Sequence, residues 1–267
     1  MKLFSSIITC LLFLFTSGDE MTAVHLSQAT YCDTTDWDCA VCDDSSKLYK
    51  SIEKDGERSL VGYNTNMDSL FVAFRGSANI QNWLDNIQFS QTSPYKNPDI
   101  KVEKGFYKIY SRFKKDIIKT LISLKSKYNT ERILLTGHSL GAAISTLLAY
   151  ELKTEYNLFN QIQLITFGSP RVGNSQFVYD FTQNEIKNNR LTHYYDIVPH
   201  VPQMLLHYQH VPNEIWYSES NDDHTICDDD ASHEDEDCSN SCAPLHCTSV
   251  DDHLYYLNVS MGSDGSC

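Results

Sequence analysis

Apolar positions recur along the chain with two periods. Phe106, Ile109, Phe113, Ile117, Leu121 and Leu124 follow one another at steps of three and four, with lysines opposite, which predicts a long amphipathic helix. Elsewhere the apolar residues run together. "SLFVAFRG" (Ser69 to Gly76), Ile133 to Thr136, "QIQLITFGSP" (Gln161 to Pro170) and "RLTHYYDIVP" (Arg190 to Pro199) read as four strands, of the near-continuous apolar kind that a sheet covered on both faces requires. A second helix is expected over Leu140 to Leu152. Strands alternating with helices of this length predict an α/β fold, a mainly parallel central sheet with helices on both faces.

A shorter periodic segment lies between the first strand and the long helix. "ANIQNWLDNI" places Ile80, Trp83, Leu84 and Ile87 at i, i+3, i+4 and i+7, one face of a short helix. Such a face is either packed permanently on the core or serves as a movable cover. At the N-terminus, "MKLFSSIITCLLFLFTSGDE" combines Lys2, a short apolar run from Ile7 to Phe15 and small residues at Thr16-Ser17-Gly18. That is the pattern of a signal peptide, residues 1–18, with cleavage near Gly18. The run is well short of the roughly 20 apolar residues of a membrane span, and the alternative is a buried N-terminal helix. Residues 19–267 then form a secreted, extracellular single domain that keeps no integral membrane segment, although the same signal would serve a lysosome-like compartment. No repeat or Pro/Gly linker divides it, and its length suits one large domain.

Charge narrows the partners. Twenty-one Lys and Arg stand against 35 Asp and Glu, a formal net charge of −14, which disfavours nucleic acid and anionic membrane surfaces but not neutral lipid. Without Cys10 in the signal, eight cysteines remain: Cys32, Cys39, Cys42, Cys227, Cys238, Cys242, Cys247 and Cys267. An even number in a secreted chain implies disulfides, with 105 possible pairings. Cys39-Ala-Val-Cys42 could be a redox or zinc pair, but no second close pair of that spacing accompanies it and the compartment is oxidising, so a structural disulfide is expected. "ESNDDHTICDDDASHEDED" (Glu219 to Asp237) is dense in carboxylates. A calcium site is conceivable there, but the segment lacks the ordered spacing of an EF-hand and reads as a disulfide-tethered, solvated loop.

The chemistry centres on Gly137-His138-Ser139-Leu140-Gly141. G-x-S-x-G is the spacing of a nucleophile elbow, and here it sits between an expected strand and an expected helix, where the mechanism needs it. A serine hydroxyl becomes nucleophilic when a histidine takes its proton, and a carboxylate fixes that histidine's tautomer. In α/β-hydrolase order the acid and then the histidine follow the serine. Asp196, in "HYYDIVPHVP", falls where the fourth strand ends, a position that also suits an ordinary turn carboxylate. His200, His207, His210, His224, His233, His246 and His253 follow it. His224 and His233 lie in the acidic segment, whereas His253 opens an apolar stretch in "DDHLYYL".

"FRGSANIQNWLDN", "VEKGF", "GHSLGAA", "TFGSPRVGN", "YYDIVPHVP", "CDDDASHEDEDCSNS" and "DHLYYL" occur in this order along nearly the whole mature chain. In these motifs the sequence resembles the class 3 lipases, which include the filamentous-fungal triacylglycerol lipases. The resemblance implies an α/β-hydrolase fold, Ser139 as nucleophile, Asp196 as acid, His253 as base, and the N–H groups of Ser77 and Leu140 as oxyanion hole. It also implies Cys32–Cys267, Cys39–Cys42 and Cys227–Cys238 pairs, with Cys242–Cys247 remaining. Two positions depart: Glu103 stands where the family commonly has His, and Ala142 where a second glycine often follows the elbow. The implied activity is triacylglycerol hydrolysis at a lipid–water interface, in lipid catabolism, without metal or organic cofactor. The alternatives are a phospholipase or feruloyl-type esterase on the same fold, or a catalytically inactive lipid-binding relative. The apolar "NIQNWLDN" favours lipid over feruloyl esters, and acyl-chain preference, oligomeric state and occupancy of the Asn258 glycosylation sequon are not encoded in these patterns.

Overall fold

In the computed structural model, which describes residues 17–86, 89–243, 245–262 and 267, the four apolar runs lie side by side in one sheet. The chain opens with α1 (Ser17–Ala29), followed by β1 (Ser46–Lys54), β2 (Glu57–Asn64), β3 (Ser69–Phe74) and the short α2 (Ile80–Asn86). A two-residue ladder, β4 (Gln91–Thr92) and β5 (Val102–Glu103), precedes α3 (Lys104–Tyr128), β6 (Arg132–His138), α4 (Leu140–Glu151), β7 (Gln161–Phe167) and α5 (Ser175–Gln183). Then come β8 (Lys187–His193), β9 (Glu214–Tyr217), β10 (His224–Ile226) and a terminal hairpin, β11 (Tyr255–Tyr256) and β12 (Val259–Ser260). The sheet has eight strands in the order β1-β2-β3-β6-β7-β8-β9-β10. β3, β6, β7, β8 and β9 are parallel, with an antiparallel meander at one edge and antiparallel β10 at the other.

Alternate residues of each central strand feed two cores. Leu70, Val72 and Phe74 of β3 join Ile133 and Leu135 of β6 beneath α3 and α4, whereas Phe71, Ala73 and Leu134 point the other way, against α1. This is why the strands read as unbroken apolar runs. Helix α3 buries the expected stripe, apart from half-buried Ile109, and ends on Asn129 in the left-handed conformation. Every residue of α4 is buried. On the opposite face α1 packs Ala23, Val24, Leu26 and Ala29 onto the sheet, and Ser27 Oγ meets Thr136 Oγ1 at 2.9 Å. The residues expected as signal peptide lie outside the described range except Ser17 and Gly18, which open α1.

Three expectations change. The third strand stops at Phe167, where Gly168 turns with φ +54°. The fourth ends at His193, because Tyr194 takes φ +36° and leaves Asp196 three residues past the strand. The acidic segment is not simply solvated. His224 and His233 are exposed, but Glu234 is buried and grips the Arg171 guanidinium at 2.8 and 2.7 Å, and Asp229 approaches Arg190 at 3.2 Å.

Burial works against the charge on Glu234, yet His210, whose backbone N–H it accepts, and Arg171 hold its carboxyl far below the usual range. A carboxyl lowered in this way contributes stability above its unfolded pKa and loses it only as pH falls through the folded value, so the pair is intact at neutral pH. Removing one partner strands a buried charge. Glu234→Ala is therefore expected to lower stability by about 3–5 kcal/mol, read by urea unfolding with disulfides intact; a loss below about 1 kcal/mol would return the segment to the status of a loose surface loop.

The cysteines pair as Cys32–Cys267, Cys39–Cys42, Cys227–Cys238 and Cys242–Cys247. The first ties the residues after α1 to the C-terminus, and the third closes the acidic segment.

Candidate active site

Ser139 occupies the turn between β6 and α4 with φ 58° and ψ −127°, a conformation that non-glycine residues adopt only where the surroundings enforce it. The two motif glycines show the enforcement. A Cβ on Gly141 would stand 2.1 Å from the Phe74 carbonyl oxygen, and one on Gly137 would stand 2.4 Å from the Gly141 carbonyl carbon. Only glycines let α4 start this close to the end of β3. The Ser139 N–H donates to Phe167 O at 2.9 Å, which ties the turn to β7.

Asp196 and His253 come to the same edge of the sheet. His253 Nδ1 lies 2.9 Å from Asp196 Oδ2, which also accepts from Tyr256 Oη at 2.6 Å, while Asp196 Oδ1 accepts from Val198 N at 2.8 Å. Burial raises the cost of charge on Asp196, but His253, Tyr256 and the Val198 N–H together keep its carboxyl below the usual range. It is therefore ionised at neutral pH, so Nδ1 of His253 carries a proton and Nε2 is left as the basic atom. Gly168 is required here too, since a Cβ on it would fall 2.8 Å from both Asp196 Oδ2 and His253 Nδ1.

Two polar atoms in this region are buried and have no hydrogen-bond partner among the described residues: Ser139 Oγ and His253 Nε2. They are the two atoms expected as nucleophile and base, and in such pairs the hydrogen bond often closes only when substrate binds.

Further support comes from residues that spacing does not single out. His138 sits beside the serine, with its ring 4.4 Å from that of His253. Burial, and then the proximity of His253, push it down to about 3, so it is neutral. Its Nε2 donates to the His253 carbonyl at 2.8 Å, which leaves Nδ1 to accept from Tyr31 Oη at 2.8 Å. The only trace of this rail in the sequence is that His138 fills the first x of G-x-S-x-G. Tyr256 had an equally faint trace, its place three residues past His253.

The two residues expected to form an oxyanion hole flank Ser139. Leu140 is the first residue of α4, so its N–H is free of the helical ladder. Half-buried Ser77 follows Gly76, on which a Cβ would come within 3.1 Å of Ser139 Cβ.

Helix α2 starts three residues after Ser77 and buries none of its residues fully. Trp83 lies over Phe106 with ring centroids 6.3 Å apart, and Ile80 and Leu84 are half-buried; Ile87 falls outside the described residues. Trp83, Glu103, Phe106, Ile109 and Leu140 line a cleft of about 320 Å³. Glu103 caps α3, accepting from Phe106 N at 2.6 Å, so this departure from the family pattern does a helix-capping job. Ser139 is 1% exposed and His253 0%. Two groups could suggest a metal, His200 with Cys242 and Cys247, and Asp235 with Cys227 and Cys238. The cysteines in both are joined as disulfides, which offer no thiolate ligand.

Residues 71–206 match the family model "Lipase (class 3)". A lipase of Rhizomucor miehei is 31% identical over 89% of this chain and 67% of its own length. Lipase II of Rhizopus niveus superposes with a TM-score of 0.86 at 27% identity, covering 92% of this chain and 96% of that one. A triacylglycerol lipase whose catalytic centre is described as a serine protease triad superposes with a TM-score of 0.85 at 30% identity, over 93% and 98% of the two chains. The chain spans about 59% of the full-length Rhizopus niveus lipase sequence. With half its length matched by the family model and 92–93% of it superposed on these structures, this chain belongs to the class 3 lipases, on the α/β-hydrolase fold.

Proposed function

We propose that the protein is a secreted triacylglycerol lipase in which Ser139, Asp196 and His253 act as nucleophile, orienting acid and general base. The observation that carries this reading is the pair of buried, unpartnered atoms, Ser139 Oγ and His253 Nε2, set at one edge of the sheet beside a carboxylate that fixes the imidazole. His253 Nε2 removes the Ser139 proton as Oγ attacks the ester carbonyl. The carbonyl oxygen becomes an oxyanion held by the N–H groups of Ser77 and Leu140, where fixed donors cost no reorganisation. When the tetrahedral intermediate collapses, the same proton passes to the leaving alcohol. A water deprotonated by His253 then releases the acid and restores Ser139. No step uses a metal or cofactor.

The signal peptide belongs to this reading. Cleavage near Gly18 removes only the first residues of α1 and leaves Ala23, Val24, Leu26 and Ala29 in place, and four disulfides suit an oxidising, extracellular compartment. Among the described residues no helix is long and apolar enough to cross a membrane. The test is hydrolysis of emulsified triglyceride, emulsified phospholipid and a soluble short-chain ester by the full protein. Triglyceride should be cleaved fastest; cleavage of phospholipid or feruloyl ester alone would transfer the site to another substrate, and no cleavage of any ester would leave a lipid-binding relative.

The cover over the site gives a further expectation. With Ser139 and His253 sealed, substrate entry requires movement, and α2, which starts three residues after Ser77 and buries none of its residues fully, has little to lose, its packed aromatic being Trp83 on Phe106. Burying a tryptophan against protein in water and against acyl chains at an interface are similar in free energy, so a few kcal/mol can tip the balance. Rate against tributyrin concentration should therefore jump above its solubility limit, and less so in Trp83→Ala. A smooth hyperbola through the limit in wild type would remove the lid from the account.

A further inference from the structure

The exposed apolar side chains are unevenly placed. Met204, Leu205 and Leu206 form a 3-10 turn and are all exposed, Leu205 to 87%, and Leu245 and Leu254 are exposed as well. No other run of three consecutive large apolar residues is exposed among the described residues. These five lie on the segments that carry the candidate acid and base. Met204–Leu206 follow the turn after Asp196, Leu254 follows His253, and Leu245 tips the loop closed by Cys242–Cys247, whose Cys242 Sγ is 3.7 Å from His200 Nε2.

The turn is also fixed to the cleft. The Leu206 and His207 N–H groups donate back to Gln203 O and Met204 O at 2.9 Å each, and Gln91 Nε2 reaches His207 O at 3.1 Å. Gln91 lies opposite Glu103 in the β4–β5 ladder, and Glu103 lines the cleft. The exposure of Leu205 is thus imposed by the backbone, at the border of the site.

Charge points the same way. In a chain of net charge −14, residues 197–213 and 238–250 contain no Asp, Glu, Lys or Arg. Met204, Leu205, Leu206 and Leu245 therefore stand on segments with no carboxylate, Lys or Arg to desolvate at an apolar phase, Leu254 alone following Asp251 and Asp252, while the acidic remainder of the molecule repels anionic lipid. We propose that Met204, Leu205, Leu206, Leu245 and Leu254 form a fixed docking rim that seats the protein on an uncharged lipid surface, separate from the movable α2. This deepens the lipase reading and rests on it for the identity of the surface.

The experiment uses full-length Ser139→Ala protein, so that adsorption is read without turnover, and trioleoylglycerol droplets coated with phosphatidylcholine. Flotation gives the half-saturating lipid concentration. Met204→Glu/Leu205→Glu should raise it at least tenfold, equivalent to about 1.4 kcal/mol, whereas Ile122→Glu, at an exposed residue on α3, should not change it. Both variants alter exposed side chains, and thermal unfolding checks that they are folded. Equal adsorption of the double variant and its parent would overturn the rim. So would a self-associated protein that the double variant makes monomeric with adsorption unchanged, since the occupant would then be a second copy. If wild-type protein adsorbs through the rim yet hydrolyses no trioleoylglycerol, the lipase reading fails and the rim stands.

Discussion

Ser139→Ala is expected to reduce kcat for ester hydrolysis by about 10⁶-fold, and His253→Ala by a similar factor, because groups that act as one unit lose nearly the whole effect when either is removed, as known for the subtilisin triad. The alternatives to His253 are constrained by their surroundings. His210 is buried with Nε2 on Pro199 O at 2.7 Å. Burial, followed by the charge of Arg171, pushes His200 down to about 4, a poor base. His207 and His246 are exposed. Activity retained in His253→Ala but lost in His200→Ala or His210→Ala would overturn the assignment.

Stability should move the other way for the serine. Ser139 Oγ is a buried hydroxyl without a partner among the described residues, and such a group costs about 1–3 kcal/mol to desolvate. Ser139→Ala should therefore melt no lower than wild type, and by that argument slightly higher, the trade between stability and function expected at an active site. A cooperative melt at or above the wild-type temperature, alongside a lost reaction, separates chemistry from folding. A collapsed melt would show that the hydroxyl holds the elbow instead.

Much of the fold was legible because the central strands are buried on both faces and so are apolar without a break. The elbow was legible because Gly141 is forced by the contact of α4 with the end of β3 and Gly137 by the contact of β6 with the start of α4, leaving a spacing in the sequence. What escaped notice has equally physical reasons. β1 carries "SKLYKSIEK", half of it exposed at the edge of the sheet, and an edge strand need not be apolar. α1 has little amphipathic contrast, since Ser27 and Gln28 are buried with its apolar residues and bond to β6 and to Gly262. Glu234 looked solvated because its partner Arg171 is 63 residues away, and a pairing at that range leaves no local pattern. The same holds for Tyr31 and His138, 107 residues apart. The resemblance pointed to Ser139, Asp196 and His253; only coordinates show the partners that hold these side chains in place.

Asp196→Asn is expected to cost about 10⁴-fold in kcat, less than loss of the serine or the base. Asp196 receives three donors: His253 Nδ1–H and Tyr256 Oη–H on Oδ2, and Val198 N–H on Oδ1. An asparagine has one oxygen and one NH₂. With its oxygen toward His253, the NH₂ opposes the Val198 N–H, donor against donor. With its oxygen toward Val198, the NH₂ faces His253 and forces Nδ1 to accept, which moves the proton to Nε2 and removes the base. Tyr256→Phe leaves the carboxylate with two donors, and the loss of one hydrogen bond to a charged group, about 1.5–3 kcal/mol if fully transmitted, would cost about 10- to 100-fold. The pH profile distinguishes positioning from mere support. Burial opposes the Asp196 charge, but its three partners keep the carboxyl below the usual range, so Asp196 stays ionised as pH falls from neutrality and loses its contribution only below the ordinary carboxylate range. The acidic limb of kcat/KM in wild type should then carry no contribution from Asp196. Tyr256→Phe removes one of the bonds that favour the carboxylate, so Asp196 protonates at higher pH and the limb should steepen at its acid end. An Asp196→Asn enzyme within tenfold of wild type, or a Tyr256→Phe profile of unchanged shape with an undiminished rate, would mean that Asp196 is a turn carboxylate and that another group orients the imidazole.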